Sequence, residues 1–544
     1  MHARWSRGGR IVSRLGVASS VALVALAGTP AARPAHAAGA ANKDTLYIAY
    51  PFAPASLDPA VSQDFPVVQR GVYDSLVTLD GSSPTRVVGD LATAWTASRD
   101  KTVWTFTLRR GVKFHDGTPV DAAAVKSSLT RMLTLNQGPS YIMGQFMTPS
   151  RIVVLAPDKI QFRLLPTAPV YSFLTALTSQ WSNWIVSPTA VKRHAVHGDQ
   201  AQGWLATHEA GSGPYVMTSY QVNQGATFTA FPGYFKGWSG HHVHRVILSF
   251  VSVDATRREL LEKGDADMSL TFTPQDLDAM KTESGLVVTN QYGTNCVYIA
   301  MTEYGPLASP KARQALAYAF DYQAFVHALL KGYGRQSTGP LPATMSAHDP
   351  GLKPYPTDLA KAKQLLQEAG VKPGTALTMW YISSDERAKQ MATVMQGQLA
   401  QVGLALSIVP KDAATFSTAE AASGPALSQR PNLWAGQWTP DYDDALDFLS
   451  PLYHSRGPNA GAANAGGYHN AMVDQLLAQA SRTPNAGQRQ QMLNRVQRIL
   501  TYDDPASVFV ADVTENPVYR SNVHGFVLNP NQEETFPFYS LWKS

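Results

Sequence analysis

Residues Val87–Arg131 read VVGDLATAWTASRDKTVWTFTLRRGVKFHDGTPVDAAAVKSSLTR, and this stretch decides the fold. Trp104, Phe106 and Leu108 alternate with Val103, Thr105 and Thr107, the two-residue period of a strand that buries one aromatic face. Asp116-Gly117-Thr118-Pro119 supplies turn residues. A helix is predicted from Asp121, a good N-cap, with Val120 and Val125 placed as a hydrophobic staple and Val125, Leu129 and Leu133 repeating at helical spacing. The segment is a strand, a turn and a capped helix: scaffold with almost no chemistry in it.

The N-terminal residues set the compartment. Arg4, Arg7, Arg10 and Arg14 come without an acid, the apolar run Leu15–Ala27 is shorter than a bilayer span needs, and Ala35-His36-Ala37 puts small residues around a cut. This is the pattern of a secretory signal peptide, residues 1–37, cleaved before Ala38, and it leads to a periplasmic mature chain. Cys296 is the single cysteine, so an intramolecular disulfide, a thiolate metal cluster and a lipid-bearing cysteine at the end of the leader are excluded. Its setting, Asn295-Cys296-Val297-Tyr298-Ile299, reads as a strand with a small buried thiol.

The full chain carries 45 Lys and Arg against 40 Asp and Glu. Five of those arginines and none of the acids lie in residues 1–37, so 45 less 5 leaves 40 against 40, and the mature chain is formally neutral. No block of like charge elsewhere points to nucleic acid or an anionic membrane as partner. The mature chain is too long for one core and predicts two or three lobes. Strands alternating with capped helices predict an α/β architecture, and Ala413–Pro431, rich in Ala, Ser and Gly, reads as a loop.

The order of residues in the opening segment resembles the signature of the family 5 extracellular solute-binding proteins, the dipeptide, oligopeptide and nickel binding proteins of ABC importers. Leu91, Ala92, Trp95, Trp104, Phe106, Leu108, Arg109, Gly111, Val112, Phe114, Asp116, Gly117, Pro119 and Val125 fall on it. The resemblance extends over nearly the whole mature chain. Gly211-Ser212-Gly213-Pro214-Tyr215 with Phe231–Gly237 resembles the family's GTGPY and N-x-x-Y-W-x-G pair, and Gly264–Asp267 its G-x-x-D turn. Ser309–Asp321 and Asp358–Gly370 are similar to two of its helices, and both make local sense: Ser309 and Asp358 as caps, Pro310 at a first helical position and Gly370 at a close.

What the resemblance implies is a two-lobed periplasmic binding protein clamp of type II, in the large form with an extra inserted domain. Carried over, lobe I is 38–75, 206–292 and 508–544, the inserted domain 76–205, and lobe II 293–507. The implied function is capture of di- or oligopeptides by lobe closure and delivery to an ABC permease with its ATPase subunits, by a monomer without catalysis or cofactor.

The site is expected in the cleft between the lobes. Gln437-Trp438-Thr439-Pro440-Asp441-Tyr442-Asp443-Asp444 is dense in aromatic and acidic groups. The resemblance makes Asp441 the acid that takes a ligand's α-ammonium, with backbone contacts at Gln437 and Thr439; a desolvated carboxylate against an ammonium gives a charge-assisted bond. Trp438 and Tyr442 have the W-x-x-x-Y spacing that nickel-chelate binders use, and their rings could cover an apolar ligand group. The plainer reading of the stretch is an acidic turn in which Asp441, Asp443 or Asp444 caps a helix from Ala445 to Leu449. On the opposing lobe, Leu57-Asp58-Pro59 resembles the family's LDP and places Gln63 and Phe65 on a second pairing strand. Oligopeptide binders keep an Arg six positions before the amine-binding acid; here Ala435 stands there. A longer, modified or non-peptide ligand, a nickel chelate among them, is therefore the alternative, as is a ligand-sensing receptor on the same fold. His241, His242 and His244 could chelate a divalent ion, but no acid or Cys completes a shell and they read as surface residues. Hydrolase elbows, zinc-protease and phosphate-loop motifs are missing, which argues against an enzyme.

Overall fold

The structure, a computed structural model, describes residues 42–63, 66–420, 429–455 and 463–544. The expected leader and Phe65 lie outside the described residues. Three sheets carry the mixed α/β fold. Thr45–Tyr50 runs through the middle of a seven-stranded sheet, parallel to Arg245–Phe250 on one side and to Met268–Ser269 on the other. Both its faces are covered, Leu46, Ile48 and Tyr50 in one apolar core and Ala49 in a second, and so the strand is an apolar run rather than an alternating one.

The opening segment folds as its pattern predicts. Val103–Leu108 lies between Ala92–Ala97 and Lys159–Arg163 in a four-stranded antiparallel sheet. Trp104, Phe106 and Leu108 are buried and Val103, Thr105 and Thr107 are half-exposed. Phe106 meets Phe162 edge-on at 5.6 Å. Asp121 then caps helix Ala122–Leu135, its carboxylate accepting from the Ala124 N–H at 2.8 Å, and Val125 and Leu129 close over the sheet. The Gly-Ser-Gly of the GTGPY-like motif has a packing reason: a Cβ on Gly211 would stand 1.8 Å from the Val72 carbonyl oxygen.

A six-stranded sheet runs Gly334–Gln336, Ser507–Glu515, Gln291–Met301, Leu433–Trp438, Ala376–Ile382, Ala405–Lys411. Helices Pro310–Ala319, Leu359–Glu368 and Glu386–Gln401 pack on one face and Ala445–Tyr453, Ala471–Arg482 and Ala486–Arg498 on the other. Cys296 sits buried in the long strand Gln291–Met301. Asp358 caps its helix through the Lys361 N–H at 2.8 Å, and Gly370 turns out of it with φ +73°. Ser309 has the extended backbone of a cap but its hydroxyl makes no capping bond.

One expectation changes. Ala413–Glu420 is a helix, not a loop: Asp412 accepts from the Thr415 N–H at 2.9 Å, the alanines favour the helix, and buried Phe416 sits edge-on to Trp434 at 5.2 Å. The remainder of that stretch, 421–428, lies outside the described residues. A lobe boundary at 508 would cut off a strand that pairs along its length with Gln291–Met301, from Ala300 opposite Ser507 to Gln291 opposite Glu515. The chain rejoins the seven-stranded sheet only at Val518, so the division we propose falls between Glu515 and Val518.

A buried ion pair joins the turn at Asp58 to the helix Ala122–Leu135. Arg131 sends Nη1 and Nη2 to the two oxygens of Asp58 at 2.8 and 2.5 Å, with both residues buried. Arg131→Met leaves Asp58 charged and unpaired, and a loss of about 3–5 kcal/mol is expected in chemical denaturation of the purified chain. The double variant with Asp58→Asn should recover part of that loss.

Candidate functional site

The site grows out of the end of strand Leu433–Trp438. On one side this strand pairs with Gln291–Met301 as far as Trp438 opposite Cys296. On the other it pairs with Ala376–Ile382 only at Leu433 and Trp434. Past Trp434 that second edge has no strand partner among the described residues, so backbone groups there remain open to a ligand. Gly436 lets the strand pass over Tyr298, whose ring would lie 2.8 Å from a Cβ at that position.

The acidic stretch that follows divides its labour. Asp444 caps helix Ala445–Tyr453, accepting from the Leu446 N–H at 2.8 Å, and pairs with Arg489 at 2.6 Å. Asp443 accepts from the Ser346 N–H at 3.2 Å. Asp447, buried in the helix, accepts from the backbone N–H of Asp441 at 2.5 Å and of Tyr442 at 3.3 Å, which fixes the turn and leaves the Asp441 side chain free to face the cleft. The capping reading therefore holds for Asp444, while Asp441 caps nothing.

Asp441 is reached from across the cleft. Gln63 donates Nε2 to the Tyr141 hydroxyl at 3.2 Å, and Tyr141 donates to Asp441 Oδ2 at 2.7 Å. Asp441 Oδ1 has no partner among the described residues. Burial pushes the Asp441 carboxyl up to about 6, against the lowering effect of the Tyr141 bond. Gln63 and Asp441 border a cleft cavity of about 590 Å³, with Phe52 and Trp181 as aromatic walls and Thr439 and Glu534 as further polar ones.

A second acidic group stands beside it. Thr439 donates its hydroxyl to Glu533 Oε2 at 3.1 Å and accepts from Asn295 Nδ2 at 3.0 Å. Glu533 Oε1 accepts from the Thr294 N–H at 3.3 Å. Burial raises the carboxyls of Glu515, Glu533 and Glu534; Glu515 reaches about 7, with the Glu534 charge adding and Arg387 opposing.

Of the residues singled out by sequence, Gln63, Thr439 and Asp441 meet at the cavity. Gln437 is exposed on the strand, opposite Val297. Trp438 is half-buried against the core of the second sheet. Tyr442 does not cover the cleft: it is 2% exposed, packs 6.4 Å from Phe146 and takes Gln145 Nε2 on its hydroxyl at 3.1 Å. Its ring belongs to the core, because the Asp447 staple turns residues 441 and 442 in different directions. Tyr141, Trp181, Phe52 and the 533–534 glutamates escaped the sequence reading; each sits far along the chain from the acidic stretch, and no local spacing marks them. The histidines of 241–244 are engaged elsewhere: His241 stacks on Trp542 at 4.7 Å, His242 Nδ1 lies 2.6 Å from the Tyr539 carbonyl and His244 Nδ1 2.5 Å from Asp44.

A clamp with a polar, acid-bearing cleft between α/β sheets is the architecture of a solute-binding protein. Residues 86–460 match the model of bacterial extracellular solute-binding proteins, family 5, and the chain belongs to that family. It is 32% identical over 517 residues to the probable D,D-dipeptide-binding periplasmic protein DdpA of Escherichia coli K12, covering 94% of this chain and 96% of that one. It is 29% identical to heme-binding protein A of Haemophilus influenzae, over 89% and 90% of the two chains. Among solved structures, the periplasmic binding protein DppA of Helicobacter pylori in complex with the peptide STSA matches with a TM-score of 0.76 at 21% identity, over 92% of this chain and 98% of that one. NikA of Brucella suis in complex with Fe(III)-EDTA matches with a TM-score of 0.79, also at 21% identity, over 92% and 100%. The family is one of non-catalytic solute-binding proteins. None of the described helices is long and apolar enough to cross a membrane.

The raised carboxyls carry a sign. Asp441 and Glu515 keep protons in the folded chain at pH values where their ordinary values, 3.8 and 4.5, would have released them. The folded state therefore binds more protons than the unfolded one between about pH 4 and 7, and stability falls as pH rises through that window. Glu515→Gln should match the parent in thermal melting at pH 4 and exceed it at pH 8.

Proposed function

We propose that this chain is the periplasmic substrate-binding component of an ABC importer and that it captures short peptides with a free α-amine. The observation that carries the reading is Asp441: a desolvated carboxylate on the cleft cavity whose Oδ2 is held by Tyr141 and whose Oδ1 is open. An ammonium on Oδ1 would complete a charge-assisted pair and relieve the cost of desolvating the acid. The open edge past Trp434, at Gln437 and Thr439, would pair with peptide backbone irrespective of side chains. Gln63 and Tyr141 act as positioning residues, and Glu534 on the same cavity favours ligands of net positive charge. Relatives named for dipeptide and glutathione binding are in keeping with this. Closure biased by contacts from both lobes would then present the loaded form to a permease.

Ala435 favours a second reading. It is buried in the central strand and offers no cation to a ligand's carboxylate, so a metal chelate or other non-peptide solute is the competitor. Isothermal titration with Ala-Ala and its N-acetyl form separates the two. Asp441→Asn should weaken Ala-Ala by about 2–4 kcal/mol and hardly affect the acetylated peptide; equal loss for both, or for neither, would remove Asp441 from the anchor role. Tyr141→Phe should cost about 1 kcal/mol, the worth of one hydrogen bond to the acid.

A further inference from the structure

A second cavity, of about 310 Å³, opens between helix Pro66–Val72, the stretch 178–184 and the C-terminal run 525–540. It shares no lining residue with the cleft, although the two have neighbouring walls: Gln180 precedes Trp181, and Gln532 lies two residues before Glu534. Its size is at the lower end of what small-molecule sites use, about 300 Å³.

The group that sets its chemistry is Arg70. This guanidinium lines the cavity and donates Nη1 to the Gln532 side-chain oxygen. No carboxylate makes an ion pair with it among the described residues. Of the acids on the same wall, Asp90 acts on Arg70 through its charge without bonding to it, and both Asp90 and Asp74 have other hydrogen-bond partners. Asp90 accepts from Lys236 Nζ at 2.7 Å and from the Ser75 N–H at 3.2 Å, and Asp74 accepts from the Ser212 hydroxyl at 2.7 Å and the Tyr234 hydroxyl at 3.4 Å. Burial lowers Arg70 to about 10 and raises Asp74 to about 7, where its charge is incomplete at neutral pH. Lys236 is thus taken up by Asp90, and Arg70 is left with a neutral amide as its hydrogen-bond partner. The wall has a further unmet donor: Thr535, 5% exposed, holds a buried hydroxyl without a hydrogen-bond partner. Buried guanidinium groups are ordinarily paired, and their planar fork matches a carboxylate two bonds at a time.

We propose that this cavity is a second solute site, separate from the cleft, which takes a small organic carboxylate on the Arg70 fork. Trp184, Tyr234 and Phe538 cover the carbon skeleton of such a ligand, and Gln532 orients the fork.

Succinate titrated into the purified chain, with succinamide as the uncharged match, tests the site. The expected result is one succinate per chain, no response to succinamide, unchanged binding in Asp441→Asn and roughly tenfold or greater weakening in Arg70→Gln. Should Arg70→Gln fail to fold, phenylglyoxal labelling of Arg70 in the parent chain gives the answer by mass mapping. Succinate should then slow labelling at least threefold. Equal binding of succinamide, unchanged affinity in Arg70→Gln, loss of succinate binding in Asp441→Asn, or no protection of Arg70 by formate, acetate, succinate or citrate would each overturn the proposal.

Discussion

The bidentate pair between Arg131 and Asp58 is the constraint on which the site depends. Asp58 is fully buried and also accepts from the Ala60 N–H at 3.0 Å, so its carboxylate shapes the turn that leads to Gln63. Arg131 sits near the end of the helix that Asp121 starts and also donates Nε to the Gln200 carbonyl at 2.8 Å. One guanidinium therefore joins the segment leading to the cleft, the signature helix and the stretch around residue 200. Two charges withdrawn from water gain little net stability even when well paired. What the pair supplies is position: only one register of helix against turn satisfies both oxygens and both nitrogens. Tyr141, carried by the short helix Ser140–Gly144 that follows, then meets Gln63 on one side and Asp441 on the other.

Legibility in the sequence follows the range of the interactions. Strand Val103–Leu108 and helices Ala122–Leu135 and Leu359–Glu368 were readable because burial alternates along a strand and caps lie within four residues of what they cap. Asp441 and Thr439, which line the cavity, were marked in the sequence only by the family pattern around them. Tyr141 was not, since its role exists only when residues 63, 141 and 441 are brought together, and an isolated tyrosine after Gly138-Pro139-Ser140 carries no mark of that. Glu533 and Glu534 sit in a run without periodicity, and their environment is made by Thr294, Thr439 and Glu515 from distant parts of the chain. Tyr442 misled in the opposite sense: a spacing shared with chelate binders is compatible with a ring turned into the core, and the backbone bonds from Asp447 decide which way it turns.

The crossing between sheets has its own physics. Gln291–Met301 and Ser507–Glu515 lie side by side, antiparallel, with pairing shifted between Tyr292 and Cys296 and again between Val297 and Tyr298. Irregular pairing of this kind bends a ladder and weakens it locally. The first irregularity falls beside Gly293 and Thr294, where Glu533 and Glu515 approach. The irregular part of the pairing thus lies against the two glutamates that stand beside the cleft.

Asp441 and Glu534 line the cleft with Glu515 and Glu533 beside it, a costly arrangement, since each acid loses water and Glu515, Glu533 and Glu534 repel one another. A fold selected only for stability would place an arginine among them. The chain instead leaves Ala435 at the position where oligopeptide binders of this family keep one, satisfies Glu533 with neutral threonine donors, and holds Asp441 with a phenol. Hydroxyl donors orient a carboxylate without cancelling its charge. On the proposed reading, a cationic group entering the cleft would offset that desolvation cost, and a neutral solute of the same shape would not. On that reading, discrimination would rest on the charge of the ligand more than on its outline.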